Sequence, residues 1–107
     1  MASFTPGNGK AATNGTTEVD LVAAPSSGSF RIVRSVSVHN RDTVSRTVTV
    51  RVDDGTDYDI VALTIAAGEI GTFDSPINLT SSDTLKVVSD ATATTTEPLA
   101  FASYVEV

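Results

Sequence analysis

The densest concentration of chemistry in the sequence is Asp53-Asp54-Gly55-Thr56-Asp57-Tyr58-Asp59, four carboxylates within seven residues. Carboxylate oxygens are hard ligands, and a calcium ion takes about six to eight oxygens. Asp53, Asp54, Asp57 and Asp59 are therefore the candidate metal ligands of this chain. The spacing departs from the usual calcium loop, because the glycine comes too early and the distal Glu is missing. The other reading of the same run is a solvated hairpin turn, in which Asp and Gly are chosen for turn geometry. It needs no ion, and no cofactor is expected.

Other catalytic groups are scarce. His39 is the single histidine, and cysteine is absent, which removes thiolate metal sites, cysteine nucleophiles and disulfides together. A Ser-His-Asp arrangement would have to use His39 as its base. That residue stands beside Asn40 and Arg41, and no serine has the G-x-S-x-G setting of a nucleophile elbow. Neither the phosphate loop nor the dinucleotide-binding glycine motif is present. A glycosidase sets its carboxylate pair in a sugar-binding cleft, and with no Trp and only Tyr58 and Tyr104 the stacking side chains are few. The expectation is a chain that is not an enzyme. Two N-x-[ST] matches, at Asn14 and Asn78, are read as incidental.

The elements that must position these residues are strands. At 107 residues, 40% of them hydrophobic, the chain suits one domain with a core of its own. Its 7 Lys and Arg against 13 Asp and Glu leave a formal charge of −6. The arginines are scattered and outnumbered, so nucleic acid is not an expected partner. No run reaches the roughly 18 apolar residues of a membrane helix, and the start lacks a basic, then apolar, leader. The chain is therefore read as soluble, made in the cytoplasm, and without a membrane partner.

Residues 1–15 read as a flexible arm, because Pro6-Gly7, Asn8-Gly9 and Asn14-Gly15 are turn pairs and Phe4 is the only large apolar residue after Met1. Phe4 is a candidate anchor on a neighbouring subunit. From residue 16 to 107 the apolar residues alternate with period two, as in strands buried on one face. Val48, Val50 and Val52 alternate with Thr47, Thr49 and Arg51. The phase slips between Ile60 and Leu63, which predicts a bulge near Val61-Ala62. Pro76 makes residues 70–79 an edge strand or two short strands at a corner. In the last strand Leu99, Phe101 and Val105 are expected to face in. Ala100, Ala102 and Tyr104 then face out, Tyr104 as a candidate subunit contact. Seven to eight short strands without a helix make the expected fold an all-β antiparallel sandwich, jelly-roll-like, its core filled by the inward residues with no apolar pocket left over.

The order "FRIVRSVSVHNRDTVSRTVTVRVDDG", "LTIAAGE", "INLTSSDTLKVVS" and a closing alternating strand, after a Gly/Asn/Thr-rich lead, resembles small tailed-bacteriophage virion proteins. The resemblance spans roughly residues 16–107. It implies a sandwich that forms a homo-oligomer, a homotrimer first. On the virion surface such a protein is a capsid decoration (cement) protein bound to the major capsid protein, or a part of the head–tail junction. It carries no functional residue over to this chain. The alternative reading is a carbohydrate- or receptor-binding module of a tail fibre or adhesin, helped by calcium at the acidic turn.

Overall fold

The computed structural model describes residues 4–107. Among them nine strands form: β1 (Thr5–Ala12), β2 (Val19–Val22), β3 (Arg31–His39), β4 (Arg46–Asp53), β5 (Asp57–Ile65), β6 (Ile70–Phe73), β7 (Ile77–Leu79), β8 (Thr84–Ser89) and β9 (Leu99–Glu106). One sheet has the order β1-β9-β3-β6, with β7 also paired to β3; the other has the order β2-β8-β4-β5. The pairings are antiparallel. The expected all-β sandwich is thus the fold. No helix among the described residues is long and apolar enough to cross a membrane.

The core is the space between the sheets. Val33, Val36, Val38 and Leu79 of the five-stranded sheet meet Val48, Val50, Leu85 and Val87 of the other, all fully buried. Three bulges keep these residues inward. The β3–β9 register shifts between Val33 and Ser35, which makes Arg34 the extra residue and puts Val33, Val36 and Val38 on one face. The β4–β5 register passes from Val50–Val61 to Arg51–Asp59, which leaves Ile60 unpaired one residue from the expected bulge. The β2–β8 register shifts between Asp20 and Val22, and both Leu21 and Val22 are buried. Around Pro76 the chain forms two short strands, β6 and β7, side by side along β3.

Two sequence expectations change. The arm is a strand over Thr5–Ala12, paired residue for residue with β9; the first three residues of the expected arm lie outside the described residues. The glycines in its supposed turns serve close approach instead. A Cβ on Gly7 would strike the Tyr104 ring, and one on Gly9 would strike the Leu21 carbonyl oxygen of the facing sheet. Proline is tolerated because β1 is an edge strand. Only the third pair turns: Gly15 has φ of 56°, and the Thr17 N–H donates to the Asn14 carbonyl at 3.0 Å.

The second change is the phase of β9. Ala100 and Ala102 are buried, whereas Phe101 is 41% exposed. Opposite Val38 and Val36 there is room for a methyl group and no more, so the large residue goes outward. Tyr104 also turns inward. It packs against the core under the Arg31 guanidinium, whose centre lies 4.9 Å from the ring centroid, and the Arg31 Nε donates to Glu106 at 2.8 Å.

A buried ionic clasp holds the loops at the opposite end. The Asp42 carboxylate accepts N–H bonds from Thr43, Thr94 and Thr95 at 2.9, 2.9 and 2.8 Å, and from the Arg46 Nε at 2.8 Å. Asn40 donates to the Val44 and Ile65 carbonyls and accepts from the Asp42 N–H. Glu97 accepts from the Gly15 and Ala93 N–H groups and the Thr13 hydroxyl. Burial pushes the Asp42 carboxyl pKa up, but these N–H donors and Arg46 outweigh it and hold the group far below the usual carboxylate range. Glu97 is lowered in the same way, burial opposing and the Gly15 and Ala93 N–H groups prevailing.

Two outcomes follow. Gly9→Ala, which must part β1 from β2, lowers the unfolding free energy in chemical denaturation by about 1–3 kcal/mol. Because Asp42 and Glu97 have depressed folded pKa values, their stabilisation is complete above the unfolded carboxylate value of about 4 and declines as pH falls below it. Melting midpoints measured from neutral pH down to acid should fall below that point in the wild type. In Asp42→Asn they should start lower and fall less steeply.

Candidate interaction surface

The acidic turn comes first, since its residues were the candidate ligands. Asp53 Oδ1 accepts the Gly55 N–H at 2.8 Å and its Oδ2 pairs with Lys86 at 3.0 Å. Asp54 Oδ1 accepts the Thr56 N–H at 3.2 Å, and Asp59 pairs with the Arg51 Nε at 2.6 Å. The Gly55 N–H and, after it, Lys86 hold the Asp53 carboxyl below its ordinary value. Asp57 is raised, by loss of water and then by the neighbouring carboxylates of Glu18 and Asp53. Positive φ at Gly55, 107°, completes a hairpin turn between β4 and β5. Asp53, Asp54 and Asp59 are engaged in the turn and in ion pairs, and among the described residues no group of three or more potential ligands is placed to hold a metal.

The same turn borders a charged outer face on the four-stranded sheet. The register aligns Asp20 with Lys86, Lys86 with Arg51, and Arg51 with Asp59. Arg51 also reaches Glu18 at 3.3 Å. Glu18, Asp20, Asp53, Asp57 and Asp59 outnumber Lys86 and Arg51, so this side of the sandwich is acidic.

The outer face of the five-stranded sheet is different in kind. Its register puts Ala12, Leu99, His39 and Ile70 in one row, and Lys10, Phe101, Ser37 and Thr72 in the next. Asn8, Ser103 and Ser35 form a polar middle, and then come Pro6, Val105, Ile32 and Asn78. Beyond them Phe30 and Val107 exchange both backbone hydrogen bonds, at 3.1 and 2.8 Å. Among the strand residues so placed there is no Asp or Glu; Lys10 stands in these rows, and Arg34, the extra residue of the β3 bulge, is exposed beside the polar middle. Glu69 and Asp74 stand just outside the two ends of β6.

Large apolar side chains stand in water on this side. Ile70 is 64% exposed and Phe30 51%, and Phe4, just ahead of β1, is 66% exposed. Phe30, Ile32, Asn78, Thr80 and Val107 line a cleft of about 350 Å³, where the sequence had suggested that no apolar pocket remained. A clustered apolar patch on one face is the usual mark of an interaction site. Of the two candidate contacts, Phe4 is exposed and Tyr104 is turned toward the core. Phe101 and Phe30 were missed because an alternating strand looks the same from sequence whichever face is buried. The available signal was the Ala100, Ala102 pair, too small to fill a core alone.

No family model and no curated protein matches the sequence. Solved structures match its fold. A chain of the acidic stable capsid of Helicobacter pylori bacteriophage KHP30 is similar over 99% of this chain and 94% of its own, with TM-score 0.65 and 19% identity. The likeness is one of fold. A chain of the Bacillus endospore appendages, which form disulfide-linked pili, is similar over 98% and 89%, with TM-score 0.54 and 17% identity. The Clostridium thermocellum xylanase 10B carrying CBM22-1 and GH10 modules, complexed with xylohexaose, matches over 96% of this chain but 25% of its own, with TM-score 0.51 and 13% identity. The fold is thus shared by structures of differing roles.

Since Asp53, Asp54 and Asp59 serve the hairpin or an ion pair, the melting midpoint should be the same with added calcium and with a chelator. A rise with calcium would instead support the ion site.

Proposed function

We propose that this chain is a non-enzymatic structural protein of a phage virion, a decoration protein that binds the outside of the capsid shell, formed by the major capsid protein, and self-associates there. The observation that carries the reading is the full-length fold match to a chain of the KHP30 capsid, 99% of one and 94% of the other. The resemblance of the strand motifs to small tailed-phage virion proteins points the same way. The surface suits the role as well. One outer face is acidic and the other, free of carboxylates along its strands, presents exposed Phe101 and Ile70 among polar side chains, an arrangement for packing against protein.

A decoration protein works by adding contacts across a shell and needs no chemistry of its own. Its demands are a fold that holds its shape and a surface that buries apolar area on docking. The sandwich meets the first through its valine core and the Asp42 clasp. It meets the second through Phe30, Phe101 and Ile70.

The test is binding to undecorated phage capsids followed by sedimentation. Saturable binding that raises the capsid's melting temperature is the expected result, and absence of binding at any concentration overturns the reading. The carbohydrate-binding alternative shares the scaffold, as the xylanase comparison illustrates. Specific signal on a glycan array would move the assignment there.

A further inference from the structure

Each sheet has two edges, and three of these four are blunted. β1 carries Pro6 and Lys10 and lies against β2, where the Leu21 carbonyl meets Gly9. β2 has four residues and a bulge. β6 and β7 have four and three residues, divided at Ser75-Pro76. Short strands, bulges, prolines and lysines are the usual means of keeping an edge from pairing. β5 has nine residues and contains no Pro, Gly, Lys or Arg. It bulges at Ile60, which leaves residues 61–65 regular.

The ladder fixes which way the backbone of β5 points. The Asp90 N–H donates to the Thr47 carbonyl at 2.9 Å, so Thr47 and Thr49 turn their peptide groups to β8, and Val48 and Val50 turn theirs to β5. Across from them Val61, Leu63 and Ile65 complete the bonds to β4. Ala62 and Thr64 therefore aim N–H and C=O away from β4, and β5 has no other neighbour in its sheet. These two donors and two acceptors stand in one line, the groups with which a further strand pairs. Val61 and Leu63, on the core side, are only half-buried, and Tyr58 and Ile60 are 54% and 39% exposed, so an added strand also covers apolar area.

Charge selects what pairs there. Asp57 opens β5 beside the carboxylates of Glu18 and Asp53. Among the described residues it makes no ion pair, since Arg51 and Lys86 are held by Glu18, Asp59, Asp20 and Asp53. A cation from outside relieves that crowding. Paired edge to edge, a second copy of this chain has none to give: its β5 contains no Lys or Arg, and each copy carries a formal charge of −6. The complementary strand is basic and belongs to another protein.

We infer that the open edge of β5 is a strand-addition site, at which an extended segment of a partner protein pairs with Ala62 and Thr64 and brings a lysine or arginine to Asp57. That the shell protein donates the segment rests on the virion reading; the edge itself does not.

The experiment uses the full chain as wild type, Ala62→Pro, Ala62→Ser and Asp57→Lys, with melting curves to establish that each is folded. Proline at 62 removes an N–H that no ladder bond uses, so the sheet keeps its bonds. If that variant still fails to fold, Asp57→Lys, beside the exposed turn, carries the test. Binding to undecorated capsids is followed by sedimentation, and amide hydrogen exchange is read over β5. The wild type should bind, with slowed exchange in β5. Ala62→Pro and Asp57→Lys should each weaken binding at least about tenfold, and the loss in Asp57→Lys should shrink as salt is raised. Ala62→Ser, which keeps the N–H, should bind as the wild type does. Capsid binding indifferent to Ala62→Pro and Asp57→Lys overturns the inference and keeps the virion reading. If the wild type binds no capsids, the virion reading falls, and the edge is scored on a synthetic peptide of alternating valine and threonine ended by lysine. Slowed exchange at Thr64, lost in Ala62→Pro, then supports the inference, and unchanged exchange overturns it. A wild-type dimer that Ala62→Pro dissociates gives the edge to a second copy and overturns it as well.

Discussion

The narrowest constraint in the molecule lies where β9 runs between β1 and β3. Facing inward along these strands are Gly9, Ala102 and Val36 in one row and Ala11, Ala100 and Val38 in the next. Small residues here let the opposite sheet come so close that the Leu21 carbonyl sits where a Cβ on Gly9 would be. Close approach seals the valine core, and tight packing gives hydrophobic burial its full value. It also leaves no room inside for Phe101. The side chain that a strand would ordinarily bury is presented to water, beside Leu99 and Ile70. Core packing and surface character are consequences of one steric choice.

The two ends of the sandwich are held by different means. At one, Arg31 stacks over Tyr104 and pairs with Glu106 at 2.8 Å, an arrangement partly open to water. At the other, Asp42 is buried and accepts bonds from backbone N–H groups in two loops as well as from Arg46. Breaking one member of a buried, fully satisfied set leaves the other charge without a partner, which costs far more than losing an exposed pair. The loops around Asp42 are thereby tied together without a disulfide, in a chain that has no cysteine.

Carboxylates are gathered on one side. On the four-stranded sheet Arg51 and Lys86 sit among Glu18, Asp20, Asp53 and Asp59, satisfied locally and screened by water. On the five-stranded sheet the outward rows carry Ser, Thr, Asn and exposed Phe and Ile, with Lys10 and Arg34 but no carboxylate. The acidic groups thus stand on the sheet opposite to exposed Phe101 and Ile70.

Much of this was legible in the residue order. Strict alternation around Val48, Val50 and Val52 identifies strands, Pro76 marks the corner between β6 and β7, and Asp-Asp-Gly marks a hairpin. These signals are local, because a period of two, a missing N–H and a positive φ are properties of a few residues. What was not legible is relational. The turn-like Pro6-Gly7-Asn8-Gly9 becomes an edge strand because Tyr104 and Leu21, far away in sequence, occupy the space side chains would need. The face of β9 that is buried depends on the volume of Val36 and Val38 across the ladder, and the bulge at Arg34 decides which face Val33 joins. Alternation determined that each strand has two sides. Only packing between the sheets, where volume must be filled once and without overlap, decided which side is the core and which faces water.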